Sequence, residues 1–174
     1  MPIRSIRVED AAQCIQIYKP YVQSTPFTFE TEVPSVPSLA KRIEEITEKF
    51  PWLVYEVDGV VVGYAYASAH RTRCAYEWSV ESTVYVDGAH HGKAIGKQLY
   101  EALFALLKEQ GVVNVLAGIT QPNEKSVRLH ESLGFTQIGL FKDIGFKLGS
   151  WWDVGWWQLQ LQRPTTPQAL QPPR

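Results

Sequence analysis

The stretch from Ser82 to Gln110, STVYVDGAHHGKAIGKQLYEALFALLKEQ, constrains this chain most, because an apolar strand passes through a polar, glycine-bearing loop straight into a long amphipathic helix. At a helix start the first backbone N–H groups have no intrahelical partner, and the macrodipole adds roughly half a positive charge. An anion such as phosphate is stabilised at that end without a metal. Gly92 and Gly96 leave room for close approach, and Lys93 and Lys97 add positive charge at the same end. Ile95, Leu99, Leu103 and Leu106 fall on one side of the helix, and Gly111 is placed to end it.

With 174 residues, 45% hydrophobic and 20% charged, the chain can bury a real core, and its size suits one domain. That domain is expected over residues 1–163, with the Pro- and Gln-rich residues 164–174 as a disordered tail. A formal net charge of -1, without long single-sign runs, provides no basic footprint for nucleic acid. Apolar runs are strand-sized, which argues against a membrane partner, and the opening MPIRSIRVED lacks the apolar core of a secretory signal. A cytoplasmic protein is expected. Cys14 and Cys74 show no metal-ligand spacing, so the expectation is two reduced thiols and no metal.

Ile3 to Val8 reads as a first strand, and Asp10 as the cap of a helix bearing Ala11, Ile15, Tyr18 and Val22 at helical spacing. Pro20 is expected to kink that helix or end it early. In the loop STPFTFETEVPSVP, Phe27 and Phe29 either line a pocket or pack beneath the loop. Ser38 reads as the cap of a second helix with an apolar stripe of Leu39, Ile43, Ile46 and Phe50. WLVYEV and VVVGYAYASA flank Asp58-Gly59, the signature of a tight hairpin. CAYEWSVESTVYV reads as one long strand, bent or bulged at its polar interruptions. VVNVLAGI reads as a strand buried on both faces, and strand, helix, strand of this length implies a parallel right-handed crossover. Asn123 opens a short helix that Gly134 ends, and FTQIGLF and VGWWQLQL complete the strands, the last with Trp157, Leu159 and Leu161 alternating with glutamines. The fold class is α/β (α+β).

The loop at 91–96 and the segment NEKSVRLHESLGF resemble the GNAT superfamily of acetyl-CoA-dependent N-acetyltransferases. That superfamily's pyrophosphate loop runs Gln or Arg, two variable residues, Gly, one variable residue, then Gly or Ala. Here the six positions are His91, Gly92, Lys93, Ala94, Ile95 and Gly96, so the loop departs from the pattern at His91 and at Ala94. A negative φ at residue 94 would tolerate alanine, whereas a positive one would cost stability or affinity. The chain is most similar to the phosphinothricin N-acetyltransferase group, which includes enzymes acting on methionine sulfoximine and sulfone. FPWLVYEVDG, AYEWSVESTVYV, NEKSVRLHESLGF and GFKLGSWWDVGWWQL carry that similarity over nearly the full length.

The resemblance implies a mixed, mostly antiparallel sheet splayed between two central strands and flanked by helices, with acetyl-CoA as co-substrate. It implies backbone contacts to pantetheine from Val84, Tyr85 and Val86, and phosphate contacts from the loop through Lys97. Asn123 is expected either to hydrogen-bond the pantetheine arm or to serve as a plain helix cap. Glu81, beside VYV, is the implied base, and His130 stands where most of the superfamily has a tyrosine that protonates the leaving thiolate. Near neutral pH a histidine can serve as acid or base. Arg73, with Arg71, Tyr76 and Phe29, is the expected acceptor site, and Glu30 stands where a basic residue would be unsurprising. Trp151, Trp152, Trp156 and Trp157 are expected around the pocket, in a dimer interface or in the core. The partner implied is a small amino acid or analogue, in a homodimer. Alternatives are another small amine, a protein N-terminus, or a non-catalytic CoA-binding sensor.

Overall fold

The computed structural model describes residues 2–173. Its elements are β1 (Ile3–Ser5), α1 (Ala11–Ser24), α2 (Val36–Thr47), β2 (Trp52–Val57), β3 (Val60–Ala69), β4 (Ser79–Val86), α3 (Ile95–Gln110), β5 (Asn114–Gln121), α4 (Glu124–Ser132), β6 (Thr136–Lys147) and β7 (Ser150–Gln160). Alternation along the strands makes two apolar faces, each covered by helices. Leu53, Val62, Val80 and Val115 pack with Leu99, Leu103 and Leu107 of α3 on one face. Trp52, Val54, Val61 and Tyr64 pack with Ile15, Ile17, Leu39 and Ile43 of α1 and α2 on the other.

The strands form one seven-stranded sheet in the order β1-β2-β3-β4-β5-β7-β6. Every neighbouring pair is antiparallel except β4 and β5, which α3 connects as the expected crossover. Asp58 and Gly59 both take positive φ, 50° and 81°, and close the β2–β3 hairpin. Gly111 ends α3 at φ 105°. It does so because this left-handed position carries little penalty for a residue without Cβ.

Several local expectations change. β1 stops at Ser5, and Val8–Asp10 is a turn of 3-10 helix. The Asp10 carboxylate does not cap α1: it accepts from Arg7 N–H at 2.7 Å and from the Arg4 guanidinium at 2.7 and 2.9 Å. A bidentate arginine competes better for it than a helix N–H. α1 continues through Pro20 to Ser24, since buried Ile17, Tyr18 and Val22 anchor both sides of the missing hydrogen bond. Ser35, not Ser38, caps α2: its Oγ accepts the Ser38 N–H, and Pro37 sits in the first turn, where no N–H is needed. The bend expected in β4 is instead a 3-10 turn at Cys74–Tyr76 ahead of the strand, and β4 then pairs with β3 without a register shift. Residues 164–173, for which composition predicts disorder, take no helix or strand but make defined contacts. Leu170 packs on the core, Gln171 N–H donates to Gln110 O at 2.8 Å, and Trp78 Nε1 donates to Gln168 O at 2.7 Å.

Candidate active site

β4 and β5 pair only over Ser79–Glu81 and Asn114–Leu116. Beyond these three pairs β4 remains bonded to β3 as far as Val86, and β5 to β7 as far as Gln121, while the two strands part from each other. Their facing edges therefore carry backbone N–H and C=O groups without a strand partner. An extended amide chain can add there as a strand would. A cleft of about 880 Å³ opens at this point, lined by residues 82–86 of β4, 117–120 of β5, the turn into α3, and α4.

At one end of the cleft lies the anion site read from the sequence. Gln98 N–H makes the first α3 bond, to Ala94 O, so the N–H groups of Ile95, Gly96 and Lys97 precede the helical ladder. Gly92 has φ 79° with open space where a Cβ would stand. Ala94 also lies in the left-handed region, at φ 57° and ψ 16°, so its methyl is strained rather than accommodated by the helix. His91 does not point its ring at this end. Its Nε2 lies 3.0 Å from Val86 O and 2.9 Å from Tyr21 Oη, and Tyr21 Oη donates to the same carbonyl at 2.7 Å. A carbonyl only accepts, so His91 Nε2 carries a proton and donates it back to the end of β4.

The structure brings Val84, Tyr85, Val86, His91, Gly92, Ala94, Ile95, Gly96, Lys97, Asn123 and His130 to the cleft, but leaves Lys93 off its lining. Lys125 and Arg128, which the sequence reading missed, supply further positive charge from α4. Their three-residue separation on a helix that also carries His130 was the available sign. Asn123 Oδ1 accepts the Ser126 N–H at 3.2 Å, so this side chain is a helix cap that also borders the cleft.

His130 is 3% exposed, wedged edge-on against Tyr100 and Phe135 at 5.3 and 5.1 Å between ring centres. Nδ1 lies 2.7 Å from Ser126 O and must donate to it, leaving Nε2 as a buried lone pair with no hydrogen-bond partner among the described residues. Burial pushes its pKa below the ordinary 6.5, so the ring is neutral at neutral pH. It is a proton acceptor in the resting protein, not the acid that a tyrosine would be.

Glu81 sits at the last paired position before the strands part, half-exposed, with Oε1 2.8 Å from His70 Nδ1. His70 is the main site candidate absent from the sequence reading. The register sets Ser68 opposite Glu81, which makes His70 its diagonal neighbour across the β3–β4 ladder. Arg71 donates from Nε to His70 Nε2 at 3.3 Å and lies 5.7 Å from the Tyr76 ring centre. Arg73 is exposed just before the 3-10 turn, where its carbonyl accepts the Tyr76 N–H. Arg71, Arg73 and Tyr76 thus belong to the loop after β3, outside the lining of the cleft.

Phe27 lines the cleft, whereas Phe29 rests where a Cβ on Gly145 would be, 2.3 Å from its ring. Glu30 is no open charge: Arg42 pairs with it at 2.6 Å and Tyr18 donates to it, which holds its carboxyl below the usual range. The buried Lys147 ammonium closes this network by donating to Thr28 O at 2.7 Å. Trp157 is core, Trp151 is exposed, and Trp156 packs edge-on against His70 with its Nε1 buried and unpartnered among the described residues.

Two outcomes follow from these geometries. Ala94→Gly should stabilise the protein by about 1 kcal/mol, raising Tm by about 2–4 °C, because it relieves a left-handed alanine. For His130 the unfolded chain takes up a proton near 6.5 while the folded chain does so only at lower pH, so stability falls as pH drops below 6.5. Thermal melts from pH 7.5 to 5 should show that slope, flattened in His130→Asn.

A GNAT acetyltransferase domain model matches residues 3–156. The chain is 40% identical over 170 residues to a phosphinothricin N-acetyltransferase of Streptomyces viridochromogenes, covering 98% of this chain and 93% of that protein. It is 40% identical over 120 residues to an L-methionine sulfoximine/L-methionine sulfone acetyltransferase of Salmonella typhimurium, covering 69% and 70%. Its fold superposes on the crystal structure of a phosphinothricin acetyltransferase from Sinorhizobium meliloti in complex with acetyl-CoA, with TM-score 0.92 and 35% identity over 97% of this chain and 94% of that one. The parted strands, the helix start with its left-handed loop, and this family match together show that the chain belongs to the GNAT superfamily of N-acetyltransferases.

Proposed function

We propose that this protein transfers the acetyl group of acetyl-CoA to the amine of a small amino acid or amino-acid analogue of the phosphinothricin or methionine sulfoximine type. The observation that carries this reading is the placing of Glu81 at the vertex of the splay, with the neutral His130 lining the cleft beyond it. The donor fits the chain's own residues. The unpaired edge of Ser82–Val86 suits the amides of a pantetheine arm, and the N–H groups of Ile95, Gly96 and Lys97, with Lys97, Lys125 and Arg128, suit its phosphates. Acetyl-CoA supplies the acetyl group as an activated thioester.

An amino acid arrives as an ammonium ion, since α-amino groups titrate near about 8, and must lose a proton before its nitrogen can attack. Glu81 is the base assigned to that step. As the new C–N bond forms and the C–S bond breaks, the attacking nitrogen sheds its second proton to His130 Nε2. Because burial depresses the ring's pKa, the charged imidazole gives that proton up readily to the departing CoA thiolate. Arg71 and Arg73 stand on the Glu81 side, where a guanidinium matches an acceptor carboxylate. Transfer is direct, within a ternary complex. Cys14 is buried with its thiol pushed up to about 12, so it is no nucleophile.

We further assign a homodimer. β6 is an edge strand, and Ile138, Phe141, Ile144, Phe146 and Trp151 stand exposed on the β6–β7 hairpin. Such an apolar edge invites a second copy. A cytoplasmic location fits an enzyme drawing on acetyl-CoA with two free cysteines. Among the described residues no helix is long and apolar enough to cross a membrane.

Thiol release from acetyl-CoA should be stimulated by phosphinothricin or by methionine sulfoximine or sulfone. Binding of acetyl-CoA without release for any acceptor would instead favour a sensor. Glu81→Gln should lower kcat by roughly 100-fold or more at pH 7 with acetyl-CoA affinity unchanged, and the deficit should narrow at higher pH, where the amine deprotonates unaided. Light scattering should give twice the chain mass, and Ile144→Glu should reduce it to one chain.

A further inference from the structure

Among the described residues, His70 is the one titratable side chain hydrogen-bonded to Glu81, and the reaction above leaves it without a task. It is the first residue past β3, and its N–H still bonds Ser79 O at 3.3 Å, so the backbone remains in register beside β4. The state of its ring follows from its neighbours. Arg71 Nε is always a donor, so His70 Nε2, 3.3 Å away, must accept and carries no proton. The proton is therefore on Nδ1, which donates to Glu81 Oε1 at 2.8 Å.

The ring has little freedom. Its side chain is 17% exposed. Tyr76 meets it edge-on at 5.9 Å and 76°, and Trp156 at 6.2 Å and 71°. Trp156 comes from β7 across the splay, over Gly118 of β5, where an added Cβ would lie 3.3 Å from the indole. Parts of both halves of the sheet thus hold one imidazole against one carboxylate.

We propose that His70 is a positioning residue for acetyl transfer: its Nδ1–H occupies Glu81 Oε1 and turns the other oxygen, Oε2, towards the acceptor amine. This rests on Glu81 being the base. A donor on Oε1 removes the carboxylate's rotational freedom, so Oε2 waits in one orientation. The proton leaving the ammonium nitrogen goes to Oε2 and then to solvent. His70 keeps its Nδ1 proton throughout and forms no bond to substrate.

The test uses thiol release with saturating acetyl-CoA and an acceptor that the wild-type protein acetylates. His70→Ala should lower kcat roughly tenfold, the usual worth of a hydrogen bond to a charged group, with acetyl-CoA affinity unchanged. His70→Phe keeps a ring between Tyr76 and Trp156 but lacks the donor, and should lose as much. His70→Asn, whose amide N–H falls near the Nδ1 position, should recover most of the rate. In a Glu81→Gln background His70→Ala should cost less than twofold, because the group it positions is gone. Full turnover in both His70→Ala and His70→Phe, or an undiminished tenfold loss in the Glu81→Gln background, overturns the positioning role alone. Full turnover in Glu81→Gln overturns the base assignment and this inference with it.

Discussion

The parting of β4 from β5 is the constraint on which the site depends. Each strand is bonded along its whole length to its outer neighbour, β3 or β7, and the two share only three residue pairs. The outer ladders hold the strands apart, and the inner edges keep polar groups that the fold itself does not satisfy. Backbone groups of this kind are costly to bury unpaired, so they stay at an open cleft or accept an added strand. The start of α3 stands at one end of that cleft and Glu81 at the vertex. Were the pairing continued to Val86, Glu81 would be an ordinary outward-facing strand residue.

Charge is distributed around this cleft by function of position. Lys97, Lys125 and Arg128 join the N–H groups of α3 on the lining, whereas the inner part holds the uncharged His130 against Tyr100 and Phe135. A histidine enclosed by rings loses the hydration that would stabilise its cation, so it rests as a base. The two nearby carboxylates have opposite fates. Glu30 is consumed by Arg42 and Tyr18, while Glu81 faces a neutral donor and keeps an oxygen to spare. The acidic residue at position 30 therefore presents no unpaired charge.

Local patterns were legible where the physics is local. The Asp58-Gly59 hairpin, the α3 stripe with Gly111 at its end, the crossover into β5 and the Asn123 cap are readable because each depends on a few adjacent residues. The misreadings arise where a distant partner outbids a near one. Arg4 takes Asp10 from the α1 cap, and packing carries α1 past Pro20. At Ala94 the letters alone left two backbone conformations open, and only the turn geometry shows the positive φ.

By itself, then, the sequence determined the order of elements and the strand, glycine-bearing loop and helix start at 82–97, since these follow from short-range periodicity and turn chemistry, while Glu81 and His130 stood out as candidates only through the family resemblance. Tertiary structure alone decided how those groups behave. His130 is a buried base because α4 turns it between Tyr100 and Phe135, and His91 is withdrawn to Val86 by Tyr21. His70 meets Glu81 only through the β3–β4 register, under a tryptophan from the opposite half of the sheet. Protonation and orientation are set by neighbours distant in the chain, and no linear pattern records which of them arrive.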